Sequence, residues 1–334
     1  MTEELNEIKI IEIFRRNFGT RPHIFMGIKN PTGINEDAGV IRLGDKKLLV
    51  VTTDLIGKKT HCPPGMTPFQ MGRKAVIVNI SDLAAMGAEP LGLVFSVGLP
   101  KEISISDLDE IAKGMNFAAE KHNTCIFGGD VNRTDDIILA GTAIGITKED
   151  SILLRCNAKE EDIVAVTGWI GGAALGLYCL KNQIELDHTL LKGILEPEAR
   201  LSESLILTKL KAITSAGDIT DGLAMELHKI GEASDKGFII YEKQIPIKDE
   251  VKKLAKIHNI DPIQLALHVG EDFELILTIN PKKWELVRKT CDEINLKITN
   301  IGKVTADKKI VMETEDGEII PIKKRGYDQF LNNS

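Results

Sequence analysis

A chain of 334 residues with 43% hydrophobic residues is long enough for two domains with a core each, and at 4% aromatics those cores must be aliphatic. A formal charge of -7 argues against a nucleic-acid backbone as the main partner, and no stretch is long and apolar enough to span a bilayer. Five scattered cysteines (Cys62, Cys125, Cys156, Cys179, Cys291), never spaced CxxC, disfavour a structural zinc or a disulfide framework; the acidic opening MTEELNEIKI has no apolar signal core, so the expected compartment is cytoplasmic.

Residues 3–18 place Leu5, Ile8, Ile11 and Phe14 at helical spacing. Residues 40–43 and 48–53 read as strands joined by a turn at Gly44-Asp45. Thr67 and Pro68 suit the N-cap and first position of a helix running to about residue 86. Residues 91–97 form an apolar strand closed by Pro100. Ser106-Asp107-Leu108-Asp109 opens a second helix with capping-box-like spacing. Residues 125–127 and 137–146 read as strands, and the charged stretch 148–162 (KEDSILLRCNAKEED) flanks a boundary. Beyond it come a strand over 163–167 and a small-residue helix over 171–180. Helices are expected near 198–211, 221–235, 248–257 and 282–293, and strands near 212–217, 237–241, 273–279 and 297–304. The alternation points to two α/β-type domains, 1–148 and 149–334, with no low-complexity linker or short repeat.

Carboxylates break several apolar or glycine-rich contexts. Asp37 stands before a strand, Asp54 ends VVTTD, and Asp130 ends IFGGD. Asp218 and Asp221 stand in GDITDGL, Glu271 and Asp272 in GEDFEL. Taken singly, an Asp at a strand end or helix start usually caps or turns. Asp82 resists that reading, because it lies inside a helical pattern on one face with Ala75, Asn79 and Met86; it must be exposed or paired with something positive. If the fold converges these positions, mutual repulsion raises their pKa values unless divalent cations intervene. Mg²⁺ suits oxygen ligands of this kind together with phosphates, and Thr52 and Thr53 add hydroxyl or carbonyl oxygens.

The usual phosphate machinery is missing: no GxxxxGK[ST], no kinase HRD…N with DFG, no GxGxxG after a strand. Glycines in 168–177 suit either an anion at a helix start or close helix packing. Arg133 and Arg155 are candidate phosphate cations or solubilising surface charges.

The stretches EDAGV (36–40), VVTTD (50–54), NISDLAAMGAEP (79–90), GGDVNR (128–133), LRCNAKEEDIVAVTG (154–168), DITDGL (218–223), GEDFEL (270–275) and GYDQF (326–330) run in one order over nearly the whole chain. In that order the chain resembles the thiamine-monophosphate kinase family, within the superfamily of aminoimidazole ribonucleotide synthetase and selenophosphate synthetase. The resemblance implies a two-domain fold of mixed sheets covered by helices, α/β with α+β character in the N-terminal half, and a homodimer formed through the N-terminal sheet. It implies a kinase that moves a phosphoryl group directly and in line from ATP to thiamine monophosphate over several Mg²⁺ ions, with no general base because the acceptor phosphate is already ionised.

Position by position, the resemblance assigns Asp37, Thr52, Thr53, Asp54, Asp82, Asp130, Asp218 and Asp221 to metal. Gly129, Asp130, Arg155 and Thr220 fall to ATP, with Arg155 sharing the transition-state charge. His61, Glu271 and Tyr327 fall to the substrate. GGDVNR loses the hydroxyl at Val131, Glu36-Asp37 replaces the usual acid pair, and Val269 stands where a glycine is usual. The alternatives are another ATP-dependent synthetase of the superfamily and a non-catalytic nucleotide-binding regulator on the same fold.

Overall fold

The structure is a computed structural model that describes residues 9–10 and 36–327. The helix expected over 3–18 lies outside the described residues except for Lys9 and Ile10, which are helical, and so do residues 328–330 of GYDQF.

The first sheet comprises β1 (Gly39–Gly44), β2 (Lys47–Gly57), β3 (Glu89–Leu99), β4 (Ile126–Arg133) and β5 (Ile138–Lys148), in the order β1-β2-β5-β3-β4. Only β3 and β4 pair parallel. The β1–β2 turn passes through Gly44, Asp45 and Lys46, all at positive φ. Along β2 the period of two turns Leu48, Val50 and Thr52 inward and leaves Thr53 and Leu55 exposed. β2 then runs straight into a single-turn helix, α1 (Lys58–His61).

Helix α2 (Pro68–Ala85) begins as its sequence dictates. Thr67 accepts the Gln70 N–H at 3.2 Å, Gln70 Oε1 accepts the Thr67 N–H at 3.0 Å, and Pro68 fills the first helical position. Its apolar residues surround it, so it is buried on all sides. It crosses α3 (Ile105–Lys121) at two glycines: a Cβ at Gly72 would lie 2.1 Å from the Ile111 carbonyl oxygen, and one at Gly114 would lie 1.9 Å from that of Phe69. Two local expectations need correction. The cap of α3 is Ser104 and not Ser106, because Ser104 sits one residue ahead of the helix and its hydroxyl accepts the Asp107 N–H at 3.0 Å. The strand at 125–127 does not stop at its glycines: pairing with β3 carries β4 through Asp130 to Arg133.

The second sheet comprises β6 (Ile163–Thr167), β7 (Ile213–Ile219), β8 (Gly237–Tyr241), β9 (Glu274–Ile279), β10 (Ile298–Thr305), β11 (Ile310–Glu313) and β12 (Ile319–Pro321), in the order β12-β11-β8-β10-β6-β9-β7. Around it lie α4 (Gly172–Lys181), α5 (His188–Leu195), α6 (Leu201–Thr208), α7 (Leu223–Ser234), α8 (Asp249–Ile257), α9 (Pro262–His268) and α10 (Trp284–Glu293). The short elements α1, α5, α9, β11 and β12 were not anticipated, since each spans too few residues to show a period.

At β6, β9 and β7 this sheet is covered on both faces. On β6, Val164 and Val166 join one core with Leu175 of α4 and Leu227 of α7, while Ala165 joins the other. On β9, Leu275, Leu277 and Ile279 turn to that second core, which is continuous with Ile80 and Leu83 of α2 and Leu48 and Val50 of β2. Helix α2 is therefore a shared wall between the halves. Each of its fully buried Ile and Leu side chains contributes about 1.5–3 kcal/mol, so a residue on α2 that faces the second half is held in a fixed place. Among the described residues no helix is long and apolar enough to cross a membrane.

Candidate active site

Three sequence-distant acids meet beside α2. Asp37 enters just before β1, Asp82 projects from α2, and Asp218 comes from the end of β7; each offers an oxygen, and the three oxygens lie within 4.8 Å of one another. The surrounding hydrogen bonds explain the convergence. Thr52 of β2 donates to Asp82 Oδ2 at 2.5 Å. Ser81, one residue before Asp82, donates to Asp218 Oδ2 and so ties α2 to β7. Asn79, one turn earlier, accepts the Asp54 N–H at 3.1 Å and donates to the Ala75 carbonyl at 3.0 Å, which locks the end of β2 to α2.

The crowding has an electrostatic signature. Burial, then Asp218, Asp37 and Asp54, push the Asp82 carboxyl well above the usual range. Asp82 is thus neither freely exposed nor matched to a cation, as its sequence context suggested; its close partner is a hydroxyl and its neighbours are acids. Burial raises Asp37 well above normal, against the pull of Arg155. It raises Asp218 to about 6, helped by Glu226. Asp54 also rises to about 6 through burial, although the Leu55 N–H opposes it, with Asp218, Asp221 and Glu271 adding to the rise. Asp37 Oδ2 is buried with no hydrogen-bond partner. An all-oxygen set, repelling itself and holding one unsatisfied oxygen, fits a hard divalent cation such as Mg²⁺.

A chain of alternating charge backs the acids. The Arg155 guanidinium binds Asp37 and, at 2.7 Å, Glu226; its backbone N–H donates to Glu36 Oε2 at 2.7 Å. Glu226 is fully buried and also binds Lys229 at 2.6 Å, and Lys229 reaches Asp221 at 3.1 Å. Burial alone would raise the Glu226 carboxyl, but Arg155 and Lys229 more than offset it and hold it below normal. Arg155 is 4% exposed and turned into this network. Sequence reasoning missed Glu226 and Lys229. The signal was there: Glu226 shares the apolar stripe of α7 with Leu223, Leu227 and Ile230, and a carboxylate on such a stripe needs a cation.

A cavity of about 660 Å³ has His61, Lys74, Leu177, Lys181, Glu271 and Tyr327 among its walls. All three residues expected at the substrate thus face one space. His61 Nδ1 accepts the Gly57 N–H at 3.1 Å, which leaves the proton of the neutral ring on Nε2. Burial and then the Lys74 charge lower its pKa, against Glu271. The Glu271 loop is tightly wound: Gly270 has φ +81°, and a Cβ there would stand 2.0 Å from the Thr220 carbonyl oxygen. Glu271 itself is at φ 64°. Its N–H donates to the Thr220 carbonyl at 2.8 Å, and the Tyr327 N–H donates to the Asp221 carbonyl at 3.2 Å. These bonds bring Thr220, Asp221, Glu271 and Tyr327 together.

Two expected metal residues stand elsewhere. Thr53 points away from Thr52, where its hydroxyl donates to the Gly141 carbonyl at 2.8 Å and accepts from the Thr142 hydroxyl at 3.2 Å. Asp130 is exposed on the edge strand β4 and accepts from Asn132 at 2.6 Å. Register pairs Asp54 with Gly141, Gly141 with Phe95 and Phe95 with Gly129, so Gly129 shares the Asp54 row while Asp130 shares that of Leu55, on the other face. Three strand spacings separate β2 from β4, roughly 14 Å.

The chain matches two family models, the N-terminal domain of AIR synthase related proteins over residues 35–147 and their C-terminal domain over 159–315. The two sheets and the acids between them thus define the class: an AIR synthase related protein with both domains present. A thiamine-monophosphate kinase of Pyrococcus horikoshii is 36% identical over 96% of this chain and 92% of its own length, and that of Bacillus subtilis is 33% identical over 89% and 93%. A solved complex of AaThiL with AMPPCP and TMP superposes with a TM-score of 0.82 at 24% identity, covering 97% of each chain. A thiamine-monophosphate kinase from Stenotrophomonas maltophilia gives 0.76 at 26%, covering 95% of this chain and 98% of its own. The chain belongs to the thiamine-monophosphate kinase family.

Proposed function

We propose that the chain phosphorylates thiamine monophosphate to thiamine diphosphate with ATP as donor, in the cytoplasm. The bond between the γ-phosphorus of ATP and its bridging oxygen breaks as a phosphate oxygen of thiamine monophosphate bonds that phosphorus in line, and ADP leaves. The observation that carries this reading is the placing of Asp37, Asp82 and Asp218 within 4.8 Å of one another, one oxygen of Asp37 unsatisfied, in a chain whose cavity is walled by His61, Glu271 and Tyr327 and is tied to Thr220 and Asp221 by backbone hydrogen bonds from Glu271 and Tyr327. The likeness to a complex that holds AMPPCP and TMP agrees with it.

Asp37, Asp82 and Asp218 would hold Mg²⁺ in this proposal, joined by Thr52, Asp54 and Asp221; the ions would supply charge neutralisation for the phosphates. Gly129, Asp130 and Thr220 take the nucleotide. Arg155 acts through Asp37, holding one of its oxygens so that the other faces the cation. Residues 1–148 form the metal, ATP-phosphate and dimerisation domain, and 149–334, which contribute Asp218 and Asp221, complete the nucleotide and substrate site. The homodimer uses the first sheet, which leaves Ile41, Leu43, Leu55, Leu91, Phe127 and Val131 exposed; its mass in solution is then twice 36.7 kDa, and a particle of 36.7 kDa would refuse the dimer.

The test is ADP release with ATP, Mg²⁺ and thiamine monophosphate. One ADP per thiamine diphosphate is expected, with complete loss on chelation by EDTA and inversion of configuration at a chiral γ-phosphorus. ADP release indifferent to thiamine monophosphate would sink the proposal, and retention of configuration would replace direct transfer by a phospho-enzyme.

A further inference from the structure

Lys74 is 1% exposed, yet it carries an ammonium group into the wall of the cavity described above. It sits on α2, two helical turns before Ser81, on the side that meets the second half of the chain. Its Nζ donates to the His61 carbonyl oxygen at 2.9 Å and to Glu271 Oε2 at 2.5 Å. His61 ends α1, at the close of the β2 segment; Glu271 belongs to the left-handed loop before β9. One buried cation therefore joins two cavity walls that come from opposite ends of the chain. Burying an ammonium is costly unless its donors are met, and an apolar side chain of the same length would fill the space more cheaply. What an apolar side chain cannot do is set the distance between a carbonyl and a carboxylate. Glu271 keeps its other oxygen, and its side chain is 28% exposed.

We propose that Lys74 is a positioning residue for the organic substrate, its ammonium fixing the spacing of the His61 turn against the Glu271 carboxylate so that both walls meet the same ligand. The inference rests on the proposed function, because it names thiamine monophosphate as the molecule between those walls. ATP is bound by other groups, so its binding does not depend on Lys74. The same charge helps burial keep the His61 ring neutral, with Nε2 as a donor.

The experiment is steady-state kinetics of Lys74→Met, Glu271→Gln and the double variant, each with both substrates varied. For Lys74→Met the KM for thiamine monophosphate rises about 10–100-fold, the size expected for losing one charge-assisted contact from binding, while kcat and the KM for ATP stay within about threefold. In the double variant the KM is no worse than in the poorer single variant, because both remove one coupling. A KM for thiamine monophosphate unchanged in Lys74→Met, losses shared equally by both substrates, or fully multiplicative effects would overturn the inference. If Lys74→Met does not fold, Lys74→Arg carries the test: its longer, planar head resets the spacing, the thiamine monophosphate KM must rise at least about fivefold, and an unchanged KM overturns the inference. Wild-type protein without turnover of thiamine monophosphate fails the proposed function, and this inference with it; normal wild-type turnover with unaltered variants fails this inference alone.

Discussion

Asp82→Asn lowers turnover by about 10²–10³-fold, because it weakens the hold on the Mg²⁺ that would neutralise the transferring phosphate, while making the metal-free protein more stable above pH 6. Both effects have one origin. Asp82 lies among Asp37, Asp54 and Asp218, and its folded pKa is raised well above 3.8, with Asp54 and Asp218 raised to about 6. For an acid raised on folding, the native state binds more protons than the unfolded state between the two pKa values, so stability falls as pH rises through that window. The amide removes the repulsion. The variant should therefore melt about 3 °C or more above wild type at pH 8 without metal, the gap closing as pH falls toward 5. Saturating Mg²⁺ should reverse the order, since binding at 100 times Kd adds about 2.7 kcal/mol to wild type alone. Thermal melts at two pH values, with and without Mg²⁺, check it; a variant less stable than wild type at pH 8 without metal contradicts the crowding.

Arg155→Met should produce the largest loss of stability, about 3–5 kcal/mol at pH 8, the typical cost of leaving buried ionic partners alone. Glu226 is fully buried, Asp37 has one oxygen already unsatisfied, and both lose their shared guanidinium. The pH dependence runs opposite to that of Asp82. Glu226 is held below its ordinary 4.5, so its contribution is present above that value and disappears as pH falls through its folded pKa. The difference between wild type and variant therefore shrinks in acid. Urea denaturation at pH 8 and pH 4 measures it, and a cost under about 1 kcal/mol at pH 8 would mean that the charge chain from Asp37 to Asp221 contributes little.

Much of the scaffold was legible because local chemistry spoke for it. Thr67-Pro68 announced a helix start that the structure keeps to the residue, and the aliphatic run 163–167 is the strand it promised. Asp54 lies near the end of β2, and its N–H binds Asn79 of α2, one turn before Asp82, an acid in a helix with no local reason to be there. The limits are also physical. A sequence gives the type of a long side chain but not its direction: Arg155 was expected at a nucleotide and is turned into Asp37 and Glu226. Glu226 and Lys74 each stand beside another charge on their helices, Lys229 and Arg73, so their sequence context does not separate a buried charge from a solvated one. Glycine pairs suggest a break, yet Gly128 and Gly129 continue β4 because a neighbouring strand supplies the hydrogen bonds. Period-two alternation alone separates Thr53 from Thr52, and it becomes readable only once the inward face of β2 is known.

The most direct measurement is anomalous scattering from crystals of the wild-type protein soaked with Mn²⁺ in place of Mg²⁺, together with a non-hydrolysable ATP analogue. The account predicts metal peaks in contact with the oxygens of Asp37, Asp82 and Asp218, with nucleotide phosphates beside them. Bound nucleotide with no metal touching any of those three carboxylates would contradict it.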